Sequence, residues 1–458
     1  MKKYYDREFE QKVLHEESHL VSVTQTSRLV VITGRRRVGK TELILRTMRD
    51  EQKTPFIYLF ASRIAPGALI KDWLQTIASV LGTSFAPQCE RLSQVIEYLL
   101  FLGKTQRINV AIDECQDLNM IEPSFWSEVQ KVWDINKKNS QVFLMMSGSI
   151  ASAMRNIFNE YSEPLYGRVD RFIQVRAFGI TILKEILNDY RPGFSPDDLL
   201  GLYSVTGGIP WFVEDLMDRN ATTIKKIAES IFQPGSKFIL DGEILLANGF
   251  RSEGPVNRTL LQAIASGVTK REELQNIVGE ISVSGALSRL EKQYELITKE
   301  APLFAKNERK ARYFIADRYL AFWFAFVQSK ASLISQNNYD GLKMNFLERY
   351  ETFSGRTLEQ LFFELFRTSK RFETLGRWWD RKGENEIDLI AMDGSSAYFF
   401  EIKRNSIKYS AHLLTNKVSA FLDQNPTVQN KQIFIKGLSL KDLLKSTEDI
   451  LSGSEKLF

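Results

Sequence analysis

Residues 34–41 have the residue types and spacing of a loop that binds nucleotide phosphates. They fit the pattern G-x-x-x-x-G-K-S/T. In this pattern the glycines let backbone N–H groups face phosphate, the lysine reaches the β and γ phosphates, and the last hydroxyl ligates Mg²⁺. We therefore predict an ATP site with Mg²⁺ that is formed by Gly34, Arg35, Arg36, Arg37, Val38, Gly39, Lys40 and Thr41.

The residues around this loop give it the required context. Residues 29–33 are typical of a buried strand, and residues 42–46 are typical of the first turns of a helix. The alternative is an ordinary glycine-rich turn before a basic helix. The three consecutive arginines either steer a triphosphate or simply solvate the loop.

Two acidic residues and a serine extend the predicted site. Asp113 and Glu114 end a strand-like segment, residues 108–112. We predict that Asp113 holds Mg²⁺ through water and that Glu114 is the catalytic residue that polarises the attacking water. The alternative is that both residues cap the next helix. Ser147 or Ser149, after the next strand, would sense the γ phosphate unless this segment is a plain Ser-Gly turn.

The elements that must position these residues alternate between strand and helix. Strand-like segments occur at residues 55–60, 108–112, 142–146 and 171–176, with helical segments between them. This alternation predicts an α/β domain whose parallel sheet is covered on both faces.

A second constellation lies near the end of the chain, where two strand-like segments flank residues 393–396. A two- or four-residue loop makes Met392 face Ala397 and Asp388 face Glu401, with Cβ atoms about 4.5–5.5 Å apart. Opposed carboxylates repel, and a divalent cation between them would remove the repulsion. Strict alternation places Glu386, Asp388, Glu401 and Lys403 on one face, and Ile387, Leu389, Ala391, Phe400 and Ile402 on the other. The alternative is an amphipathic hairpin with a solvated charged face.

The middle of the chain has the pattern of a winged helix-turn-helix. Three helix-like segments precede a hairpin that pairs residues 296–299 with residues 311–315 around a charged turn at residues 306–310. The third helix carries Arg289 and Lys292 for DNA contact, but this charge is weak and a structural or protein-docking role is the alternative. Residues 319–327 are predicted to form a buried helix.

The chain resembles AAA-type ATPases of the archaeal ATPase family, a STAND-like group. The matching segments are residues 34–41, 112–114, 147–149, 164–168 and 207–210. The resemblance implies a strand order of 5-1-4-3-2 and a small helical lid. It also implies that Arg168 is a catalytic arginine, which approaches the γ phosphate in its own site or in a neighbour's, and that the turn at residues 207–210 closes the lid.

The C-terminal residues resemble the core of restriction-endonuclease-like nucleases, with the pattern D-x(n)-E-x-K. This resemblance implies metal ligands at Glu359, Asp388 and Glu401 and a catalytic Lys403 that orients or deprotonates water. Residues 355–359 look like the helix that carries the glutamate, and residues 376–379 look like the preceding strand. The same arrangement recurs in the archaeal ATPase family, where related domains are often regarded as inactive.

Length and composition set outer limits on these interpretations. A chain of 458 residues should hold about two to four domains, and a net charge of +5 permits a nucleic-acid partner without requiring one. Two cysteines exclude a disulfide framework. The three histidines form no cluster. With no signal peptide or bilayer-length apolar run visible, we expect a cytoplasmic protein without a membrane partner.

These observations predict four domains, each of which is α/β or mainly helical. They are an ATPase core with a P-loop and parallel sheet (1–180), a helical lid (181–250), a winged helix (251–330) and an α/β nuclease-like domain (345–458). The leading hypothesis is ATP hydrolysis that controls a nuclease-like, DNA-binding C-terminal domain, with self-association through the ATPase domain. The alternatives are a regulatory or scaffold protein with an inactive nuclease-like fold, and a protein that binds ATP tightly but rarely hydrolyses it.

Overall fold

The chain forms two compact units in a computed structural model. The described residues are 1–51, 53–83, 87–250, 255–306, 310–380 and 383–457. One unit is Tyr5–Ala177, and the other combines Met1–Tyr4 with Phe178–Phe458. The four predicted domain ranges, with a first boundary at residue 180, stay predictions. The segments predicted as lid, winged helix and nuclease-like domain belong to a single compact unit.

Five parallel strands form the sheet of the first unit. They are β1 (Arg28–Thr33), β2 (Phe56–Phe60), β3 (Ile108–Asp113), β4 (Val142–Gly148) and β5 (Arg171–Gln174). Their order is β2-β3-β4-β1-β5, which confirms the predicted order of 5-1-4-3-2. Because all five strands are parallel, their carboxyl ends lie on the same side of the sheet, and the segments that follow β1, β3 and β4 meet there.

Helices cover both faces of this sheet, as predicted. They are α1 (Glu8–Thr24), α2 (Lys40–Arg49), α3 (Pro66–Leu81), α4 (Leu92–Leu102), α5 (Leu118–Ile121), α6 (Phe125–Asn136) and α7 (Ala151–Asn159). Alternate residues of β1 show the two faces. Leu29 and Val31 belong to one buried cluster, and Val30 and Ile32 belong to another.

The second unit begins with helices and a hairpin. The helices are α8 (Ile180–Tyr190), α9 (Pro196–Thr206), α10 (Pro210–Asp218), α11 (Ile224–Ile231), α12 (Lys237–Phe250), α13 (Pro255–Ala265), α14 (Arg271–Val278) and α15 (Val283–Lys292). The predicted hairpin is present as β6 (Ile297–Glu300) paired antiparallel with β7 (Arg312–Ile315). Residues 307–309 of its predicted turn lie outside the described residues. The winged-helix assignment and its DNA-binding role both stay predictions.

The apolar segment at residues 319–327 is a buried helix, as predicted. It falls in α16 (Arg318–Phe326), which is followed by α17 (Ala331–Ser335) and α18 (Tyr339–Thr368). Tyr319 stacks on Phe212 with ring centroids 4.2 Å apart, and Phe322 meets Phe346 of α18 at 5.7 Å. Aromatic packing therefore joins α10, α16 and α18 in one core.

A mixed five-stranded sheet completes the second unit. Its strands are β8 (Thr374–Trp379), β9 (Glu386–Met392), β10 (Ser396–Lys403), β11 (Gln432–Ser439) and β12 (Glu455–Lys456), in the order β12-β11-β10-β9-β8. The remaining helices are α19 (Ala411–Gln424) and α20 (Thr447–Ser452). Phe400 contacts Phe366 of α18, and the adjacent Phe399 contacts Phe421 of α19. The two helices therefore cover opposite faces of the sheet.

The register of β9 and β10 is as predicted, but the distribution of side chains is not. Met392 faces Ala397, which confirms the four-residue loop. Ile387, however, packs in the same buried cluster as Ile390 and Met392, which strict alternation places on the opposite face. The cause is a register shift between β8 and β9, because an additional residue at a bulge reverses the alternation beyond it.

Two glycines within helices, Gly242 and Gly355, test this packing. An added methyl group should lower the free energy of unfolding at the first and raise it at the second. At Gly242 a Cβ atom would lie 2.2 Å from the Trp323 ring, which is held by a hydrogen bond to the Ile239 carbonyl. We expect Gly242→Ala to lower the free energy of unfolding by about 1–3 kcal/mol. Gly355→Ala is the control, because no atom lies within 4 Å of its Cβ position, and it should add about 0.5–1 kcal/mol. Chemical denaturation measures both, and equal effects would contradict the packing.

Candidate functional site

The loop between β1 and α2 has the backbone that a phosphate-binding loop needs. Gly39 adopts a left-handed conformation with φ of 93°, and a side chain there would meet no atom within 4 Å. Gly34 lies so close to Val175 that a Cβ atom would be 2.3 Å from the carbonyl oxygen. Val38 is buried beneath the loop, and Arg36 is exposed. Both glycines are therefore required, one by conformation and one by close approach.

Lys40 is the first residue of α2 and turns back over the loop. Its Nζ atom donates to the carbonyl oxygens of Gly34 at 2.9 Å and Arg35 at 3.3 Å. Burial lowers the pKa of Lys40, and the charges of Glu114 and Asp113 oppose that effect. The ammonium is thus held over the loop backbone by weak acceptors that phosphate oxygens can replace.

Sequence reasoning missed Arg7, which fixes the loop from the opposite side. Its buried guanidinium donates to the carbonyl oxygens of Val38 at 3.1 Å and Arg176 at 2.6 Å. The carboxylates of Asp6 and Glu10 lie 3.2 and 3.5 Å from the same group. Arg7 therefore ties the loop to the segment that follows β5. One arginine among acids before a helix carries no motif that would have revealed this.

The Asp113 carboxylate is hydrogen-bonded to several other residues of the site. It accepts hydrogen bonds from the hydroxyls of Thr41 at 2.7 Å, Tyr58 at 2.7 Å and Ser147, and from the Glu114 backbone N–H at 2.9 Å. Burial alone raises the pKa of Asp113, but the hydroxyl hydrogen bonds outweigh burial and leave it below its usual value. The carboxylate is therefore ionised at neutral pH. Thr41 and Ser147 were predicted near it, whereas Tyr58 was not.

Glu114 follows Asp113 in a left-handed conformation with φ of 54°, which turns its side chain away from the strand. Its Oε2 atom accepts hydrogen bonds from Gln116 at 2.6 Å and from the Ser149 hydroxyl at 2.7 Å. The two predicted serines thus divide between the two acids, because Ser147 binds Asp113 and Ser149 binds Glu114.

Arg168 is paired with a carboxylate of the first unit. Its guanidinium donates to both carboxylate oxygens of Asp134, at 2.7–3.1 Å. Asp170 accepts a hydrogen bond from the Leu29 backbone N–H, at the start of β1, whereas the loop follows the end of that strand. The neighbouring Asp170 is thus bound near the start of β1, and the predicted contact of Arg168 with a nucleotide, in its own site or in a neighbour's, stays a prediction.

The predicted lid turn is present in the second unit. Gly207 and Gly208 both have positive φ, and a Cβ atom at Gly208 would lie 2.1 Å from the Phe178 carbonyl oxygen. Pro210 then begins α10, where a missing N–H has no cost. The turn itself agrees with the sequence, and its role beside a nucleotide stays a prediction.

The residues of the first unit fit a magnesium nucleotide. The Thr41 hydroxyl and the ionised Asp113 carboxylate are adjacent hard oxygen donors of the kind that Mg²⁺ prefers. The open backbone at Gly39 and the ammonium of Lys40 supply donors for phosphate oxygens.

The C-terminal site brings the predicted catalytic residues together. The Lys403 ammonium lies 2.7 Å from Glu401 and 3.5 Å from Asp388. Glu401 also accepts from Lys417 at 2.8 Å, and Asp388 accepts from the Ile402 backbone N–H at 2.8 Å. Burial and the charge of Glu401 raise the pKa of Asp388 to about 6. Both acids are therefore held by cations or backbone donors.

Glu359, the third predicted metal ligand, is held by two arginines. Its Oε2 atom lies 2.6 Å from Arg377 and 3.2 Å from Arg356. Burial and the charge of Asp388 raise the pKa of Glu359 to about 8. Within the described residues, no group of three or more His, Cys, Asp or Glu side chains is arranged to hold a metal ion. In this arrangement the C-terminal carboxylates do not fit a divalent cation.

Two family models match separate parts of the chain. Residues 4–216 match a family model described as an ATPase domain predominantly from archaea, and residues 323–413 match one described as archaeal and bacterial proteins of unknown function. Residues 4–216 form an archaeal-type ATPase domain. The second match runs from within α16 to the first residues of α19, and it names no activity, so the restriction-endonuclease-like resemblance stays a prediction.

Individual relatives match most of the chain. An uncharacterized protein of Methanocaldococcus jannaschii is 28% identical over 423 residues, 88% of each chain. A Walker-type ATPase of Pyrococcus abyssi is 21% identical, with a TM-score of 0.51 over 70% of this chain and 96% of its own. The ORC2 protein of Aeropyrum pernix is 12% identical, with a TM-score of 0.49 over 72% and 96%. The similarity to the Pyrococcus protein supports only the fold of the ATPase domain.

The helices of the structure also bear on whether the chain could cross a membrane. Across the ranges that the structure describes, no helix is both long enough and apolar enough to cross a bilayer.

Replacement of Arg7 tests whether the ATPase domain depends on this residue for its loop. Arg7→Ala removes one buried and one partly buried hydrogen bond and leaves two carbonyl oxygens without their donor. We expect it to lower the free energy of unfolding by about 2–4 kcal/mol. Thermal unfolding of Arg36→Ala, an exposed loop arginine, is the control and should change little. Equal melting temperatures for both variants would contradict the role assigned to Arg7.

Proposed function

We propose that the ATPase domain binds ATP with Mg²⁺ and hydrolyses it. The observation that carries this proposal is the Asp113 carboxylate, which is ionised and hydrogen-bonded to Thr41 beside the phosphate-binding loop. In the proposed complex, Thr41 and Asp113 hold Mg²⁺, Lys40 neutralises the β and γ phosphates, and the loop N–H groups bind the remaining oxygens. Bound Mg²⁺ would neutralise charge that develops on the phosphate oxygens.

Glu114 is the general base in this proposal. Gln116 and Ser149 both donate to Oε2, so they fix the plane of the carboxylate and leave Oε1 as the atom that accepts the proton of the attacking water. Ser147 belongs to a different role, because its hydroxyl is committed to Asp113. We therefore assign Ser147 to positioning the magnesium carboxylate.

We further propose that the nucleotide state controls the second unit. The chain passes from one unit to the other at Tyr5 and again after Ala177. Arg7 follows the first of these crossings closely, and Arg176 immediately precedes the second. Arg7 binds the loop carbonyl of Val38 as well as the carbonyl of Arg176. A nucleotide that reshapes the loop would thus act on both crossings, and Arg168 would serve a neighbouring copy in an assembly.

The C-terminal domain is the proposed target of this control. The gathering of Asp388, Glu401 and Lys403 supports a nuclease-like role, with Lys403 orienting water. The exposed Arg289 and Lys292 on α15 support DNA as the partner. The alternative is a regulatory or scaffold protein whose C-terminal fold binds without cutting. A lysine or arginine contacts each predicted C-terminal metal ligand, Glu359, Asp388 and Glu401, and these contacts support that alternative.

Two variants separate nucleotide binding from hydrolysis. We expect Lys40→Ala to abolish binding of a fluorescent ATP analogue, because phosphate loses its cation. We expect Glu114→Gln to keep binding and to slow phosphate release by about 10²–10⁴-fold, because the base is lost. Glu97→Gln, an exposed acid on α4, is the control and should behave as wild type. If Glu114→Gln barely changes an already slow rate, the chain is an ATP-binding protein that rarely hydrolyses.

A cleavage assay separates the two C-terminal roles. Wild-type protein with Mg²⁺ or Mn²⁺, ATP and plasmid DNA should produce nicked or linear DNA, and Asp388→Ala and Lys403→Ala should each remove that activity. Gel electrophoresis measures the products. Intact DNA together with normal ATP turnover would favour the scaffold alternative. Cutting that survives both substitutions would mean that the site has been placed wrongly.

A further inference from the structure

Tyr58 brings a hydroxyl group to the Asp113 carboxylate from the edge of the first sheet. It lies on β2, the outermost strand, opposite Ala111 of β3, and Asp113 is two residues further along β3 on the same face. The Tyr58 side chain packs against the buried cluster that includes Leu43 of α2, and its hydroxyl donates to Oδ2 of Asp113 at 2.7 Å. The side chain therefore leans along the sheet towards the carboxyl end of β3.

The Asp113 carboxylate accepts as many hydrogen bonds as it can hold. Tyr58 shares Oδ2 with the Thr41 hydroxyl, and Oδ1 accepts from the Ser147 hydroxyl and the Glu114 backbone N–H. An ionised carboxylate offers about four lone-pair positions, two on each oxygen. The four donors fill these positions, so a further ligand on Asp113 has to replace one of them.

Three of the four donors are fixed in place. The Glu114 N–H belongs to the backbone, and Ser147 is buried in β4, between β3 and β1. Thr41 lies in the first turn of α2 and is itself a proposed magnesium ligand. Tyr58 is only partly buried and lies on an edge strand, where water can satisfy a displaced hydroxyl. Tyr58 is therefore the donor that can leave at the lowest cost.

The oxygen that binds Tyr58 is also the one that binds the proposed magnesium ligand Thr41. Both hydroxyls donate to Oδ2, whereas Ser147 is bound to the other oxygen. Mg²⁺ usually keeps several of its waters in proteins, and those waters donate to carboxylates. An ion bound by Thr41 therefore competes with the Tyr58 hydroxyl for Oδ2, and the Ser147 hydroxyl keeps the carboxylate oriented from Oδ1.

We propose that Tyr58 is a positioning residue that occupies Oδ2 of Asp113 and gives way when a nucleotide binds with Mg²⁺. This inference rests on the proposed binding of ATP and Mg²⁺ by the ATPase domain. Tyr58 steadies the carboxylate before the ion binds, and its hydroxyl sets the concentration of Mg²⁺ that is needed to replace it. A hydrogen bond to a charged group is strong enough to weaken the apparent Mg²⁺ affinity by about 10-fold.

Nucleotide binding with and without Mg²⁺ tests this inference on the full-length chain. The affinity for a fluorescent, slowly hydrolysed ATP analogue is measured in excess Mg²⁺ and again in EDTA. We expect Tyr58→Phe to tighten binding in Mg²⁺ by about 10-fold, because the ion no longer has to displace a hydroxyl. Binding in EDTA should be unchanged, because the lost hydroxyl competes only with the ion.

Thermal unfolding of the same proteins supplies a second readout. In EDTA, Tyr58→Phe should melt at a lower temperature than wild type, because Asp113 has lost a donor. With the analogue and Mg²⁺ the difference should shrink, since wild type has then released the hydroxyl as well. A merely structural role for Tyr58 would give the same difference in both conditions.

Two controls make the outcome specific to Tyr58. Tyr98→Phe removes the hydroxyl of a partly buried tyrosine on α4, which packs on the other face of the sheet, and should leave both affinities unchanged. Ser147→Ala removes a donor from the other oxygen of Asp113 and should not tighten binding in Mg²⁺. If Tyr58→Phe folds poorly, the ultraviolet difference spectrum of wild type replaces it. Addition of Mg²⁺ to the nucleotide complex should shift tyrosine absorbance to shorter wavelength, because a phenol leaves a carboxylate.

The contrary results separate this inference from the ATPase proposal. An equal effect of Mg²⁺ in wild type and Tyr58→Phe overturns the role of Tyr58 and leaves the ATPase proposal standing. Tighter binding in Ser147→Ala as well, or an unchanged tyrosine spectrum in wild type, does the same. If wild type binds no analogue in either Mg²⁺ or EDTA, the ATPase proposal is rejected and this inference with it.

Discussion

One buried carboxylate organises the first unit. Asp113 ends the interior strand β3, and its hydroxyl partners come from three other elements: Thr41 from α2, Tyr58 from β2 and Ser147 from β4. An ionised group of this kind costs several kcal/mol in a protein interior unless its hydrogen bonds are satisfied. The parallel sheet satisfies them because it brings the carboxyl ends of neighbouring strands to one edge.

This dependence explains how much of the nucleotide site the sequence could predict. The glycine loop, Asp113 and Ser147 could be found because each has a fixed relation to a strand end. Tyr58 could not, because it lies within an apolar strand where a tyrosine is also an ordinary packing residue. Arg7 could not, because its partners are backbone carbonyls, which leave no trace in residue types. The pairing of Arg168 with Asp134 could not be predicted either, because the resemblance supplied a role for Arg168 but no partner within the chain.

The C-terminal cluster shows a different limit. Local pattern predicted the pairing of β9 with β10, but the bulge opposite β8 reversed the faces beyond it. Ion pairs between Glu300 and Arg356 and between Arg312 and Glu386 join residues far apart in the chain, so no local spacing connects them. The acidic residues also differ between the two units. Hydroxyl donors keep the pKa of Asp113 below its usual value, whereas burial raises the pKa of Glu359 to about 8 even though Arg356 and Arg377 contact it.

The helix α18 makes the second unit mechanically continuous. With 30 residues it is about 45 Å long. Near its start Phe346 packs in the aromatic core, and one turn later the Tyr350 hydroxyl donates to Asp197 of α9, which also pairs with Arg404 beside Lys403. Its later turns carry both Arg356 and Glu359. One helix therefore contacts the aromatic core, α9 and the C-terminal acidic cluster, and Asp197 of α9 connects Tyr350 of this helix to Arg404, the residue after Lys403.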